Sequence, residues 1–314
     1  MRAFVFPGQG AQTVGMGKDL AAAYPAAQAV FDEVDAALEE KLSDLIWAGD
    51  IAELTLTRNA QPALMATSLA VMAALKAEGV DVTAASYVAG HSLGEYSALA
   101  AAGTFSVTDA ARLLRARGAA MQDAVPVGVG AMAALLGLGF DDVIAVAQEA
   151  TQPGALCEVA NDNDPSQVVV SGHKAAVERA IEIAKEKGAK RGMLLPVSAP
   201  FHCSLMAPAA EVMAEKLDAV TMADPVVPLV ANVIAEQVTG AGPIKALLIE
   251  QITGSVRWRE SVAYMAGQGV TEIYEIGAGK ALSGMVKRID RAVTATPVST
   301  QADIVAMAAA LNEN

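Results

Sequence analysis

Gly90-His91-Ser92-Leu93-Gly94 spells GxSxG between an apolar run, Ser86 to Ala89, that reads as a buried strand, and a helical pattern from Leu93 to Ala102 that stops at Gly103. In that setting a serine sits on a tight strand-to-helix turn, with its hydroxyl exposed at the sheet edge and the amides of a helix N-terminus beside it. The pattern alone also fits a Gly-rich turn with a solvated serine; the flanking strand and helix favour a nucleophile. A serine hydroxyl is a weak nucleophile and needs a general base within hydrogen-bond reach. The chain has three histidines. His91 adjoins the serine and points elsewhere, and His173, behind Gly172, starts a helix in a surface or capping position. His202, in Ser198-Ala199-Pro200-Phe201-His202-Cys203, is left as the candidate base, the alternative being a partly buried histidine satisfied within the fold. Cys203 is its neighbour in sequence, but adjacent side chains diverge, which disfavours a thiol nucleophile.

A second candidate comes from periodicity. In the helix Thr108 to Asp123, residues Ala110, Leu113, Leu114, Ala120 and Met121 share one face, and Arg117 lies in the middle of it, with Arg112 and Arg115 on the polar side. A guanidinium on an apolar face needs an anion, because an unpaired charge is costly in a low-dielectric site. The partner is either an Asp or Glu of the fold, or a substrate carboxylate held by two parallel hydrogen bonds; alternatively the stem packs and the head snorkels. Gly8-Gln9-Gly10 lacks the third glycine of a dinucleotide fingerprint, since Thr13 stands there. It reads as a tight turn, or as a loop offering a backbone amide to an oxyanion.

The elements that must position these residues alternate. Ala3 to Phe6 reads as a strand ending at Pro7-Gly8, followed by helical patterns at Ala21 to Leu38 and Asn59 to Leu75, the elbow strand, and the two helices on either side of Gly103. That alternation predicts an α/β fold. From Val125 the rhythm changes: strand Ala131 to Leu136, helix Asp141 to Ala150, strands Leu156 to Ala160 and Val168 to Ser171, helix Lys174 to Lys187, strand Met193 to Val197. The order βαββαβ is that of a ferredoxin-like split βαβ unit. The α/β pattern then returns with a helix from Pro208 to Val220, a strand near Val226 to Val230, and a last strand, Glu272 to Ile276, ending at Gly277-Ala278-Gly279. The expected organisation is a discontinuous core, residues 1–125 and 198–314, interrupted by a small inserted subdomain, 126–197.

The composition is 54% hydrophobic and 18% charged over 314 residues, too apolar for disorder, and no run is long enough to span a membrane. A net charge of −13 opposes nucleic acid and favours small-molecule chemistry. Two cysteines, Cys157 and Cys203, form neither a disulfide framework nor a zinc motif, and the N-terminus lacks a secretory apolar stretch, so a cytoplasmic protein is expected.

Taken together, Phe6-Pro7-Gly8-Gln9-Gly10, Gln61-Pro62-Ala63-Leu64, Gly90-His91-Ser92-Leu93-Gly94-Glu95, Arg117-Gly118, Phe201-His202 and Glu275-Ile276-Gly277 resemble the malonyl-CoA:acyl carrier protein transacylases of bacterial fatty-acid synthesis. The resemblance runs over nearly the whole chain. It implies an α/β-hydrolase-like core with an inserted ferredoxin-like subdomain, and malonyl transfer from malonyl-CoA to the phosphopantetheine thiol of acyl carrier protein through a malonyl-serine. By the same resemblance Ser92 is the nucleophile, His202 the base, Arg117 the malonyl carboxylate clamp, and the amides of Gln9 and Leu93 the oxyanion hole. It also gives Gln251 as the residue whose backbone carbonyl orients the histidine, and it requires no metal and no bound cofactor. Phe201 departs from the serine that precedes the histidine in many bacterial members and is similar to malonyl-selective acyltransferase domains of polyketide and animal systems. A serine hydrolase or thioesterase of similar architecture would use the same elbow with water as acceptor. An acidic carrier protein calls for a local basic patch, and Lys280, Lys287, Arg288 and Arg291, or Lys185, Lys187, Lys190 and Arg191, offer one unless they are merely solvated faces.

Overall fold

The first strand, β1 (Arg2–Phe6), is apolar on both faces because it lies inside a parallel sheet with other elements above and below. The computed structural model describes residues 1–197 and 199–312; the expected return to the core at Ser198 lies outside those residues, as do 313 and 314. After β1 come α1 (Lys18–Ala23), α2 (Pro25–Leu38), α3 (Leu42–Ala48), α4 (Ile51–Thr55) and α5 (Thr57–Ala77). The single helical pattern expected from Ala21 to Leu38 is thus split. Tyr24 is extended (φ −124°, ψ 110°) and Pro25 opens a new helix, where its missing N–H leaves no bond unmade.

The elbow strand is β2 (Tyr87–Gly90), followed by α6 (Gly94–Ala101) and α7 (Val107–Asp123). Gly118 of α7 meets the first turn of α5 so closely that a Cβ there would stand 2.6 Å from the Thr57 carbonyl oxygen. This approach brings Arg117 beside Gln61 of α5.

Next come β3 (Gly130–Leu136), α8 (Phe140–Ala150), β4 (Cys157–Asp164), β5 (Gln167–His173), α9 (Lys174–Glu186) and β6 (Arg191–Leu194). The four strands form an antiparallel sheet in the order β4-β5-β3-β6, the ferredoxin-like arrangement of the expected βαββαβ order. One face packs on α8 and α9, while Met132, Ala134 and Val169 on the other join the main core. The last strand of this unit ends before Pro196 rather than running from Met193 to Val197, because the Val197 amide turns back onto the Leu195 carbonyl (2.8 Å).

The chain continues through α10 (Ala207–Asp218), β7 (Leu229–Val230), β8 (Gln237–Val238), α11 (Ala241–Glu250), α12 (Trp258–Gly267), β9 (Glu272–Ile276), α13 (Ala281–Ile289), β10 (Thr294–Val298) and α14 (Gln301–Asn312). β7 is shorter than the expected Val226–Val230, since Val226 is 64% exposed and Pro228 can give the sheet only its carbonyl. Nor is Glu272–Ile276 the last strand: β10 follows, carrying Pro297 on a sheet edge where a missing donor is tolerated. The main sheet has six strands in the order β10-β9-β1-β2-β7-β8, parallel except for β8. Glu275, buried at the end of β9, accepts the amides of Leu282 (3.1 Å) and Ser283 (2.7 Å) and so caps the first turn of α13.

The two sheets meet along β4. Val256 bridges Asn161, and the Asp162 amide donates to the Val256 carbonyl (2.9 Å). Asp162 and Asp164, with fully buried side chains, pair with Arg259 of α12 (2.7 Å) and Arg288 of α13 (2.7 Å). Alternating with them, Asn161 and Asn163 line the cleft. Among the described residues no helix is long and apolar enough to cross a membrane.

Candidate active site

The turn from β2 to α6 leaves no room for side chains at its glycines. A Cβ on Gly90 would fall 1.9 Å from the Gly94 carbonyl carbon, and one on Gly94 would fall 2.2 Å from the Phe6 carbonyl oxygen. Ser92 between them has φ 54°, a left-handed conformation that costs a non-glycine residue energy and aims its hydroxyl into the cleft. Asn232, just after β7, braces this strained turn: its Oδ1 accepts the Ser92 amide (2.9 Å) and its Nδ2 donates to the Gly90 carbonyl (2.7 Å).

His202 is buried, and its Nε2 lies 2.8 Å from Ser92 Oγ. Its Nδ1 faces the backbone carbonyl of Gln251 at 2.8 Å. A carbonyl only accepts, so Nδ1 carries the proton and Nε2 is free to take one from the serine. Burial, and then the nearby Arg117 charge, lower the His202 pKa to about 3, so the imidazole is neutral and its Nε2 lone pair is available to the serine proton. His91 does point elsewhere: its Nε2 meets Asn163 Oδ1 at 2.8 Å. His173 is a helix-capping residue by position, and its Nδ1 accepts the Leu156 amide (3.1 Å). Cys203 donates to the Pro200 carbonyl, and burial pushes its thiol up to about 11, which leaves no thiolate at neutral pH.

Arg117 is 1% exposed and donates to three neutral acceptors: Gln61 Oε1 (2.9 Å), Gln251 Oε1 (2.7 Å) and Ser92 Oγ (3.1 Å). Its guanidinium also faces the Tyr96 ring at 5.6 Å. Among the described residues no carboxylate lies within 4.0 Å of it, so the ion pair with an acid of the fold that periodicity left open is absent. A buried cation next to the serine, held only by neutral oxygens, is a site for an anionic group.

These side chains open onto a cavity of about 580 Å³, into which Phe201, Met121 and Met132 also project. Gln9 and Leu93 lie on its wall, and neither backbone amide donates to an acceptor among the described residues. Among those residues no group of three or more His, Cys, Asp or Glu side chains is placed to hold a metal ion.

The structure thus gathers Ser92, His202, Arg117, Gln9, Leu93, Phe201 and Gln251 at one cleft. Sequence reasoning gave no role to the side chain of Gln251, or to Gln61, Asn232 and Glu95. Asn232 breaks the apolar run Leu229-Val230-Ala231, and Gln61 interrupts a helix buried nearly all round; that is the kind of signal by which Arg117 was found. Of the basic residues, Arg288 is engaged by Asp164 and Lys187 by Glu149 (2.9 Å), while Lys280, just before the cleft-lining first turn of α13, and Lys287 and Arg291, at and beyond its other end, are exposed.

The acyl transferase domain profile matches residues 3–276. Malonyl CoA-acyl carrier protein transacylase of Bacillus subtilis (strain 168) is 50% identical over 297 residues, covering 95% of this chain and 93% of that protein. The structure of an acyl-carrier-protein S-malonyltransferase from Bartonella henselae superposes with a TM-score of 0.97 at 52% identity, over 99% of each chain. A type II PKS acyl-carrier protein in complex with its malonyl-transacylase gives a TM-score of 0.95 at 41% identity, over 100% of this chain and 99% of that one. With matches of this extent, the chain belongs to the acyl transferase domain family, among the malonyl CoA-acyl carrier protein transacylases.

Proposed function

We propose that this protein transfers the malonyl group of malonyl-CoA to the phosphopantetheine thiol of acyl carrier protein, supplying fatty-acid synthesis in the cytoplasm. The observation that carries this reading is Arg117, a buried cation in contact with the nucleophile's own oxygen and without a carboxylate partner among the described residues. An acyl group with a free carboxylate fits that cation; a simple fatty acyl group leaves it unsatisfied.

In the first half-reaction Ser92 Oγ attacks the thioester carbon while its proton passes to His202 Nε2, and the carbonyl oxygen becomes an oxyanion on the Gln9 and Leu93 amides. The Oγ–C bond is made, the C–S bond breaks, and the departing sulfur takes the proton back from His202. Coenzyme A leaves with a free thiol. In the second half the carrier thiol gives its proton to His202, its sulfur attacks the malonyl-serine carbon, and Ser92 Oγ departs with that proton. Gln251, through its carbonyl, keeps the imidazole in the tautomer that both halves require. Phe201 shapes the acyl pocket. The scheme requires no metal, bound cofactor, nucleic acid or membrane, and malonyl-CoA and carrier protein are its partners.

Intact-mass spectrometry after mixing the protein with malonyl-CoA, followed by addition of carrier protein, tests the reading. A malonyl adduct lost on Ser92→Ala and passed to the carrier is expected. Free malonate as the dominant product would point to a hydrolase and refute it.

A further inference from the structure

Glu95, the first-turn acid of α6, is 1% exposed and makes no ion pair within 4.0 Å among the described residues. A buried carboxylate without a cation in contact is costly, and such groups persist where they hold other groups in place. One oxygen does so here. Oε2 of Glu95 accepts the Asn232 amide (3.1 Å) and the Gln251 side-chain Nε2 (2.9 Å). Asn232 braces the strained serine, and Gln251 holds both Arg117 and His202. The two supports of the site therefore meet on a single atom.

We propose that Glu95 is a positioning residue for acyl transfer, whose carboxylate fixes the Gln251 amide in the one orientation that serves the clamp. The amide of a glutamine can present either its oxygen or its nitrogen to a neighbour. Arg117 only donates, so it needs the oxygen. Glu95 Oε2 and the Ser92 carbonyl (3.0 Å) only accept from Gln251, so they need the nitrogen. Turning the amide over would set donor against guanidinium and oxygen against the three oxygens that now face the nitrogen. Without Glu95, that orientation is left to Arg117, the Ser92 carbonyl and the more distant Asn232 Oδ1 (3.2 Å), and the shortest of the three contacts that need the nitrogen is lost. Burial raises the Glu95 carboxyl, the Gln251 and Asn232 hydrogen bonds and the Arg117 charge oppose that rise, and the balance puts it at about 7.

The inference rests on the roles of Ser92, His202 and Arg117 given above. Two variants separate geometry from charge. Glu95→Gln retains an acceptor oxygen at the same reach and removes the charge; Glu95→Asp retains the charge and withdraws the oxygens by one methylene, about 1.5 Å. Acylation rates of Ser92 with malonyl-CoA and acetyl-CoA are measured for both, with melting temperature alongside. Glu95→Gln is expected to keep malonyl kcat/KM within about threefold of native, because the hydrogen bonds survive. Glu95→Asp is expected to lose ~10- to 100-fold with malonyl and less with acetyl, because a clamp held in the wrong state costs only the substrate that uses it. Native selectivity in Glu95→Asp, or equal losses in both variants or for both acyl groups, overturns the inference. If the native protein takes no malonyl group on Ser92, the underlying reading falls and this one with it; if it does and Glu95→Asp matches it, only this inference falls.

Discussion

Replacing Arg117 by alanine takes a fully buried cation out of a site where three neutral oxygens and, among the described residues, no carboxylate contact it. When the malonyl group binds, its carboxylate then has no cation, and the two glutamine oxygens that Arg117 had held, Gln61 Oε1 and Gln251 Oε1, are left without their donor in the same low-dielectric pocket. Removing one side of a buried, hydrogen-bonded charge pair costs about 2–5 kcal/mol, or roughly 30-fold to several thousand-fold in malonyl kcat/KM. The upper half of that range is expected here, since the Gln251 oxygen is held toward the vacated position and repels the carboxylate. Acetyl-CoA brings no carboxylate, so its turnover should change little or rise. Arg117→Lys should recover only part of the malonyl rate, as one ammonium cannot reproduce two parallel hydrogen bonds. The assay is Ser92 acylation with each acyl-CoA, followed by intact mass, with thermal melting in parallel. A parallel loss of both activities with a fall in melting temperature would refute the clamp, because that is what a structural arginine would give.

The base should show its burial in a pH profile: with His202 held near 3, malonyl kcat/KM should not fall through imidazole protonation across about pH 5 to 8, the range in which a free histidine titrates. Loss of the Arg117 charge removes a cause of that depression, so in Arg117→Ala the acidic limb for acetyl transfer should move to higher pH; an unmoved limb argues against the coupling. Gly94→Ala should fail to give folded protein, or give one with little Ser92 acylation, because its Cβ would stand 2.2 Å from the Phe6 carbonyl oxygen; native activity and melting temperature in that variant would contradict the elbow packing. Charge reversal at Lys287 and Arg291, both exposed and outside the ion pairs of the fold, should raise the KM for carrier protein and leave that for malonyl-CoA unchanged; unaltered carrier kinetics would remove this face from the docking surface.

The elbow was legible because everything that makes it is local: an apolar strand, two glycines around a serine, and a helix, within a few residues of one another. Arg117 was legible because helical periodicity exposes a charge on an apolar face, although the sequence could not say whether an acid of the fold would meet it. What met it were Gln61 and Gln251, brought from α5 and from the end of α11 by tertiary packing that no local pattern records. The same holds for the hub formed by Asn232 and Glu95, which lie far apart in the chain. Strand limits were misread where polar residues stay in the ladder, as at Asn161 to Asp164 in β4, and where proline delays its start, as at Pro228 before β7. Arg288 illustrates the limit of charge counting: it stands in a basic cluster, yet its guanidinium is held by Asp164 of the other sheet.

β4 has a bearing on engineering by segment exchange. Its asparagines form part of the cleft wall while its aspartates hold Arg259 and Arg288, and its backbone pairs with Val256. A small sheet transplanted from a relative therefore needs its matching arginines and the matching loop on the recipient, or the transferred strand will bury two unpaired carboxylates. Swaps intended to alter acyl preference are better confined to β3 and the segment after β6, where Met132 and Leu195 reach the same cavity without carrying any of the charged joints.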